Sequence, residues 1–444
     1  MRRAMGQCVS GSSRAGQRSR SASRFRTRCA VMANGWTGGQ YSIFRTLLGV
    51  YLCIHFVHLL PWSAELFSSA GVLPDGRLSP LFARFPNLYW ISDAPWFVYA
   101  TLCVAAAAAV AFALGWRDRI AALWMLVVLA GLFGRNPLIA NPSMPYVGFM
   151  LLAHLFIPAA PYGSVAARGR SDPGGAWLMP RAVFLSAWVV LALSYSYSGY
   201  TKLLSPSWVA GDNIAFVLQN PLARPWLLRD FFLWLPPIFL TLLTWTVLYL
   251  ELLFAPLAVW PRARPWVWLA MLVIQFGFLF LLNFADLTAG MLLFHLFTFN
   301  PAWIPARSFQ RNEVLYYDGN CAMCHGFVRL LLAEERTGTL RYAPLQGRHF
   351  RESVPESKRS GLPDSLILGT GDGILQLRSA AVIRIMERLG GLWTAAARLL
   401  RLVPRPLRDA AYDAAGALRY RVFGRAPDAC PLMAPELRKR MVVE

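Results

Sequence analysis

Charge is scarce in this chain. Asp, Glu, Lys and Arg make up 15% of its 444 residues, well under the roughly one quarter usual for soluble domains. Lysine is almost missing, with 3 against 41 arginines, and acidic residues number 23 against 44 basic ones. The first forty residues hold eight Arg and no Asp or Glu. Scarce charge argues against an ordinary soluble protein. Positive charge spread over a tail and short loops suits membrane topology better than a DNA-binding face, so no nucleic-acid partner is expected. Cysteine is sparse as well. The seven, at 8, 29, 53, 103, 321, 324 and 430, are odd in number and widely spaced, which argues against a secreted disulfide framework. Cys53 and Cys103 lie in apolar runs and read as small buried side chains. Residues 1–39 lack the apolar core of a secretory signal and read as a disordered basic tail, or as sequence upstream of an initiator at Met32. No internal repeat is visible.

What the chain has in excess is apolar surface: 56% hydrophobic residues, with 17 Trp and 28 Phe. From Tyr41 onward the runs reach the roughly 20 residues that a bilayer crossing takes. Eight spans are expected, near 41–60, 96–115, 120–139, 144–160, 181–203, 234–260, 265–283 and 286–302. Segments 78–92 and 212–230 read as amphipathic loops lying on the membrane. Arginine pairs at 117/119, 168/170, 262/264 and 307/311 mark the inner loops, which places both termini in the cytoplasm and the protein in a cell membrane.

Ionisable groups inside a membrane are expensive unless paired or functional. The candidates are Arg45, Arg135, Lys202, Glu251 and Asp286, with His55, His58, His154 and His295 nearby. Lys202 is the lone lysine of the membrane half. A desolvated lysine can lose its proton and act as a base, which an arginine cannot. It can equally snorkel from a helix end or pair with Glu251.

The stretch SYSYSGYTKLLSPSWVAG (194–211) resembles the motif around the active-site lysine of vitamin K-dependent γ-glutamyl carboxylase, a mark of the wider horizontally transferred transmembrane (HTTM) family. YSIFRTLLG (41–49) and NPSMPYVG (141–148) resemble other landmarks of that domain. The resemblance covers residues 40–305. It implies a polytopic α-helical membrane domain in which Lys202 matches the carboxylase's base, with Trp208 and Gly211 downstream. Two features depart from the pattern. Ser143, Met144 and Pro145 stand where the carboxylase has a histidine, and its large lumenal domain has no counterpart. The fold therefore transfers more readily than the carboxylation chemistry.

A different pattern begins at residue 313. EVLYY (313–317) reads as a strand, DGN as a turn, Cys324–Glu334 as an amphipathic helix and TLRYAP (339–344) as a second strand. Cys321 then stands at a helix N-terminus, where N–H groups and the dipole favour a thiolate, and Cys324 lies one turn on, placed to attack a mixed disulfide. On this reading Cys321 is the exposed, reactive thiol and Cys324 the shielded one. Three alternatives stand beside redox chemistry: half a zinc site completed by Cys430, His325 and His349, covalent haem attachment through CAMCH with His325 as axial ligand, and purely structural cysteines.

DGNCAMC resembles the D-x-x-C-x-x-C signature of the DCC thiol-disulfide oxidoreductase-like family. DSLIL (364–368), the GDG turn, RSAAVIRIM (378–386) and the closing RYRVFGR…CPL are similar to its later blocks. The resemblance covers residues 311–444 and implies an α/β thioredoxin-like domain. By the same match Asp318 is the family's leading Asp, either giving acid–base help to the buried sulfur or shaping the loop as an Asx turn. Pro363 precedes the third strand, where such folds often carry a cis-proline, and Cys430 is either a resolving thiol or buried. The expected whole is a membrane-anchored thiol-disulfide oxidoreductase without metal, whose cofactor is its own redox-active disulfide. Its expected partners are the lipid bilayer, a thiol or disulfide substrate and a quinone-like electron carrier. A carboxylase-like enzyme using Lys202 and a non-enzymatic scaffold are the alternatives.

Overall fold

A computed structural model describes residues 34–139, 141–160, 162–167, 177–309, 313–362, 366–424 and 439–442. Pro363, Cys430 and the tail up to residue 33 lie outside the described residues. The protein is mostly helical, with a small mixed sheet in its C-terminal part.

The first helix, α1 (Gly38–Leu59), is capped by Thr37, whose hydroxyl accepts from the Gln40 N–H at 3.4 Å. Trp36 just before it is fully buried, and its indole N–H donates to the Phe299 carbonyl at 2.9 Å. The stretch from 34 to 39, assigned by sequence to the tail, is therefore part of the fold. Helix α2 (Pro95–Leu114) starts on a proline, whose missing N–H costs nothing at that position, and ends at Gly115 in the left-handed region. There follow α3 (Asp118–Arg135), α4 (Met144–Phe156), α5 (Arg181–Leu203), α6 (Pro237–Leu252), α7 (Arg264–Leu281) and α8 (Ala285–Thr298). Short helices at Pro206–Ala210, Asn213–Gln219 and Leu227–Trp234 lie between α5 and α6. Helices α5 and α6 approach closely at Gly199, where any Cβ would overlap the Leu252 backbone.

The eight expected spans are not met. Among the described residues four helices are long and apolar enough to cross a membrane: α1 with its extension to Phe67, α2, α5 and α7. A fifth is added if Leu227–Trp234 and α6, bent by 107° from each other, count as one. The physical reason is length and charge. Helices α4 and α8 have 13 and 14 residues, about 20 Å each against a hydrocarbon core of roughly 30 Å. Helix α3 carries Asp118, Arg119 and Arg135. Apolar runs that look continuous in sequence are cut by Pro142, Pro145 and Pro158 around α4 and by Pro301 after α8.

Most of the ionisable groups in this part sit at helix ends and bond to backbone carbonyls or carboxylates. Arg45, with no exposed surface, reaches Gly163 O at 2.6 Å and Ala113 O at 3.4 Å, with Asp118 at 3.9 Å. Arg135, equally buried, reaches Leu73 O at 2.6 Å and Asp93 at 3.3 Å. His154 lies between the Tyr41 hydroxyl at 2.7 Å and Asp118 at 3.5 Å. His55 meets Asp286 at 3.1 Å, and His58 lines the same cleft. His295 bonds the Tyr195 hydroxyl at 2.7 Å. Pairing of this kind removes most of the penalty for charge away from water.

The C-terminal part is built on a four-stranded sheet of order β2-β1-β3-β4: β1 Val314–Tyr317, β2 Arg341–Pro344, β3 Ile367–Gly369 and β4 Leu375–Leu377. Strand β1 runs parallel to β2 and antiparallel to β3, and β3 and β4 form a hairpin. Helix α9 (Ala322–Glu334) makes the crossover from β1 to β2, and α10 (Arg378–Leu389) follows the hairpin. Period-2 alternation splits the strands between two faces. Leu315, Tyr317, Tyr342 and Leu368 face α9 and α10, while Tyr316, Ala343 and Ile367 face Phe350 and Val354. Residues Arg440 and Val442 pair with Tyr342 and cover the free edge of β2. Two further helices, α11 (Gly391–Leu402) and α12 (Arg405–Phe423), pack outside.

One carboxylate joins the two parts. Glu334, at the C-terminal end of α9 and 1% exposed, accepts from the Thr37 hydroxyl and the Trp393 indole N–H, both at 2.5 Å. It also accepts from the Gly39 N–H at 3.1 Å and from the Tyr162 phenol. Burial, with the Glu334 charge beside it, pushes the Tyr162 phenol above its usual range. Arg336 adds a bond to the Trp36 carbonyl at 2.9 Å, and Gln40 accepts from Leu392 N–H at 3.1 Å. Replacing Glu334 by Ala strips a shared acceptor from four donors, the buried Thr37 and Gly39 and the half-buried Tyr162 and Trp393, so it should destabilise the full chain by about 3 kcal/mol. Thermal unfolding in detergent should show a lower midpoint for Glu334→Ala, with Glu334→Gln between the two. An unchanged midpoint would show that the junction does not depend on this carboxylate.

Candidate redox site and membrane cavity

The CxxC pair sits where β1 ends and α9 begins. Cys321 is the N-cap residue, in extended conformation, and its Sγ accepts from the Cys324 backbone N–H at 3.4 Å. A negative charge formed on that sulfur would meet a donor and the positive end of a helix dipole. The two residues are thiols, not joined in a disulfide. The turn ahead of them is held from several sides. Asp318 Oδ1 accepts from Asn320 N–H at 3.0 Å and from the Gln346 side-chain amide at 2.9 Å. Gln346 Oε1 in turn accepts from Gly319 N–H at 3.0 Å. The Asx turn that sequence set beside acid–base help is thus present in Asp318, which is 4% exposed.

The expectation that Cys321 is the exposed thiol is overturned. Cys321 has no exposed surface and Cys324 has 9%. Both pack in one apolar cluster with Leu315, Tyr317, Val328 and Leu331. The reason is the sheet: β1 delivers its last residues directly under α9, so the N-cap side chain points into the strand–helix core. Gln346, which straps the turn from the loop after β2, was not singled out from sequence; a polar residue just past a strand carries no signal of its own.

His325 stacks edge-on against Tyr317, and its Nε2 lies 2.7 Å from the Gly319 carbonyl. A carbonyl only accepts, so that nitrogen donates, leaving Nδ1 alone for any metal or haem iron. His349 is elsewhere, beside Tyr316 on the opposite face of the sheet. Among the described residues no group of three or more His, Cys, Asp or Glu is gathered in a way that could hold a metal ion. Cys430, which the zinc alternative needs, lies outside the described residues.

Lys202 and Glu251 are brought together at a second place. Lys202, in the last turn of α5, pairs with Glu251 of α6, donates to Ser198 Oγ at 2.8 Å and lies 4.9 Å from the Trp208 ring centre. The close approach at Gly199 sets this distance between the helices. The pair lines a cavity of about 600 Å³ whose walls include Tyr146, Leu191, Val247, Phe278 and Met291. Two buried polar atoms on that wall, Gln275 Oε1 and Thr288 Oγ1, have no hydrogen-bond partner among the described residues. The cavity and the cysteines are separate sites.

Comparisons with known proteins bear on the second half of the chain. Residues 315–425 match the family model described as DCC1-like thiol-disulfide oxidoreductase. Over 138 residues the chain is 33% identical to "Uncharacterized protein YuxK" of Bacillus subtilis (strain 168), which covers 30% of this chain and 94% of that relative. Over 122 residues it is 26% identical to "DCC family protein At1g52590, chloroplastic" of Arabidopsis thaliana, 28% of this chain and 70% of the relative. No match to the HTTM family is found, and no solved structure matches. With the signature residues, the β-α-β geometry and these matches in agreement, the C-terminal part of this chain belongs to the DCC1-like thiol-disulfide oxidoreductase family.

Proposed function

We propose that the chain is a membrane-anchored thiol-disulfide oxidoreductase whose C-terminal domain is thioredoxin-like and works through Cys321 and Cys324. The observation that carries this reading is the placement of Cys321 Sγ at the α9 N-terminus, facing the Cys324 N–H. The Cys321 thiolate attacks a substrate disulfide, one substrate sulfur leaves as thiolate, and a mixed disulfide forms. Cys324 then gives up its proton and attacks Cys321 Sγ, releasing the second substrate thiolate. Two electrons pass to the substrate and the Cys321–Cys324 disulfide remains. An external thiol or a lipophilic, quinol-like electron donor then reduces the Cys321–Cys324 disulfide and resets the pair. Asp318 positions the turn and takes part in proton traffic at the sulfur.

Orientation follows from charge. Arg117 and Arg119 follow α2, Arg262 precedes α7 and Arg264 begins it, and Arg307 follows α8. All lie at the end of the helix set where Trp36, Phe299 and Glu334 join the C-terminal domain. By the positive-inside rule that end, and the domain with it, is cytoplasmic.

A second reading is favoured by one observation, the cavity holding Lys202 with two orphaned polar atoms on its wall. In it the membrane part is a carboxylase-like enzyme with Lys202 as base. Membranes carrying the wild-type chain should then incorporate labelled bicarbonate into a peptide or lipid fraction, and Lys202→Ala membranes should not. Equal incorporation by both would remove this reading.

Two predictions test the redox reading. Cys324→Ser should accumulate mixed disulfides on Cys321, seen as adducts by mass spectrometry, and Cys321→Ser should abolish exchange. Exchange surviving in Cys321→Ser would reject the assignment. Because the thiols are buried beneath the turn, Gln346→Ala should speed their alkylation, on the order of tenfold for the loss of about 1.4 kcal/mol of turn stability. An unchanged alkylation rate would mean that this strap does not govern access.

A further inference from the structure

On the face of the C-terminal domain away from the cysteines, a pocket of about 360 Å³ is lined by Arg307, Phe309, Arg384, Glu387, Arg401 and Arg408 among others. Four guanidinium groups meet one carboxylate there, a formal excess of three positive charges. The partners are already spoken for. Glu387 is held by Arg401 at 2.7 Å and by Arg307 at 3.6 Å. Arg384 is fixed by two bonds to Glu313, at 2.6 and 3.0 Å, and its guanidinium lies 4.5 Å from the Phe309 ring centre. Arg408 makes no ion pair among the described residues, and its Nε is buried without a hydrogen-bond partner. Following the ion pairs outward does not cancel the excess, because Glu313 also serves Arg388, and Glu335 serves Arg388 and Arg440.

Such an arrangement is poor as a device for stability, since like charges gathered in one pocket repel. It is good as a receptor: planar guanidinium groups, held in place by carboxylates and an aromatic ring, match a tetrahedral oxyanion through paired N–H donors. We propose that this pocket binds a phosphate group, with Arg307, Arg384, Arg401 and Arg408 as its ligands. The neighbourhood favours a lipid headgroup as the source. Arg401 and Arg408 stand among Leu399, Leu402 and Leu407, which are 67%, 80% and 64% exposed, and Arg398 and Arg405 are exposed beside them. Exposed leucines interleaved with arginines are the pattern of a surface that meets an anionic leaflet. Arg307 also lies only nine residues past the end of α8, with its N–H bonded to the Glu387 carbonyl at 3.0 Å. The pocket thus hangs from the foot of the membrane helices. Neither the redox reading nor the Lys202 reading uses these residues.

The test uses the full chain in detergent, with three probes: phosphatidylglycerol, phosphatidylcholine and inorganic pyrophosphate. Native mass spectrometry reads lipid retention, and calorimetry reads pyrophosphate. Wild type should retain phosphatidylglycerol over phosphatidylcholine. Arg408→Gln, which breaks no ion pair, should weaken that retention about tenfold, the loss of one charge-assisted contact. Arg401→Gln/Arg408→Gln should weaken it further, and Arg348→Gln, an exposed arginine outside the pocket, should leave it unchanged. Pyrophosphate binding that is lost in Arg408→Gln, without lipid selectivity, would support the phosphate site and assign it to a soluble ligand. If neither phosphate probe distinguishes wild type from the double variant, the proposal is overturned.

Discussion

The constraint on which the arrangement depends is a single buried carboxylate. Glu334 ends the helix that Cys321 caps, and it is bonded to residues at the start of the first long apolar helix. Helix α9 therefore belongs to two structures at once, the crossover of a small sheet domain and a strut against α1. A 13-residue helix spans about 20 Å. The membrane-side anchor thus fixes one end while the thiols occupy the other. Between the two helices runs a groove lined by Ile43, Leu47, Met323 and Phe327, so Met323, one of the two residues between the cysteines, already shares a surface with the first apolar helix.

Burial of both thiols stands in tension with the exchange chemistry proposed for them. Sulfur inside a strand–helix core is protected from adventitious oxidation, yet attack on a substrate disulfide requires contact. On the proposed function, the turn Asp318–Asn320 is the element whose opening would reconcile the two. It is held by side chain–backbone bonds and one glutamine, each worth far less than the packing of α9 itself. Opening can then be local and leave the sheet intact.

Among the long apolar helices the same physics sorts structural charge from a candidate site. Arg45 and Arg135 each bond to a backbone carbonyl and face a carboxylate, Asp118 and Asp93, although two guanidinium nitrogens of each lack a hydrogen-bond partner among the described residues. Lys202 is paired too, but on the wall of a cavity that also carries two unsatisfied polar atoms. Pairing does not account for the space beside Lys202.

Local order was legible in the sequence of the C-terminal part. Strand alternation, the DGN turn and the amphipathic run after Cys321 led to β1, the N-cap position and α9, because turn chemistry and periodicity act over a few residues. Apolar runs located the apolar helices but not how many are long enough to cross a membrane, because prolines shorten several of them. Which thiol is exposed was read wrongly: that depends on what lies above the cysteines, and β1 and α9 bring residues far apart in sequence there. Gln346 at the turn, the bonds that Glu334 makes to residues about 300 positions away and the arginine pocket were likewise decided by tertiary structure. Periodicity reports which face of a helix is apolar. Only packing says what that face meets.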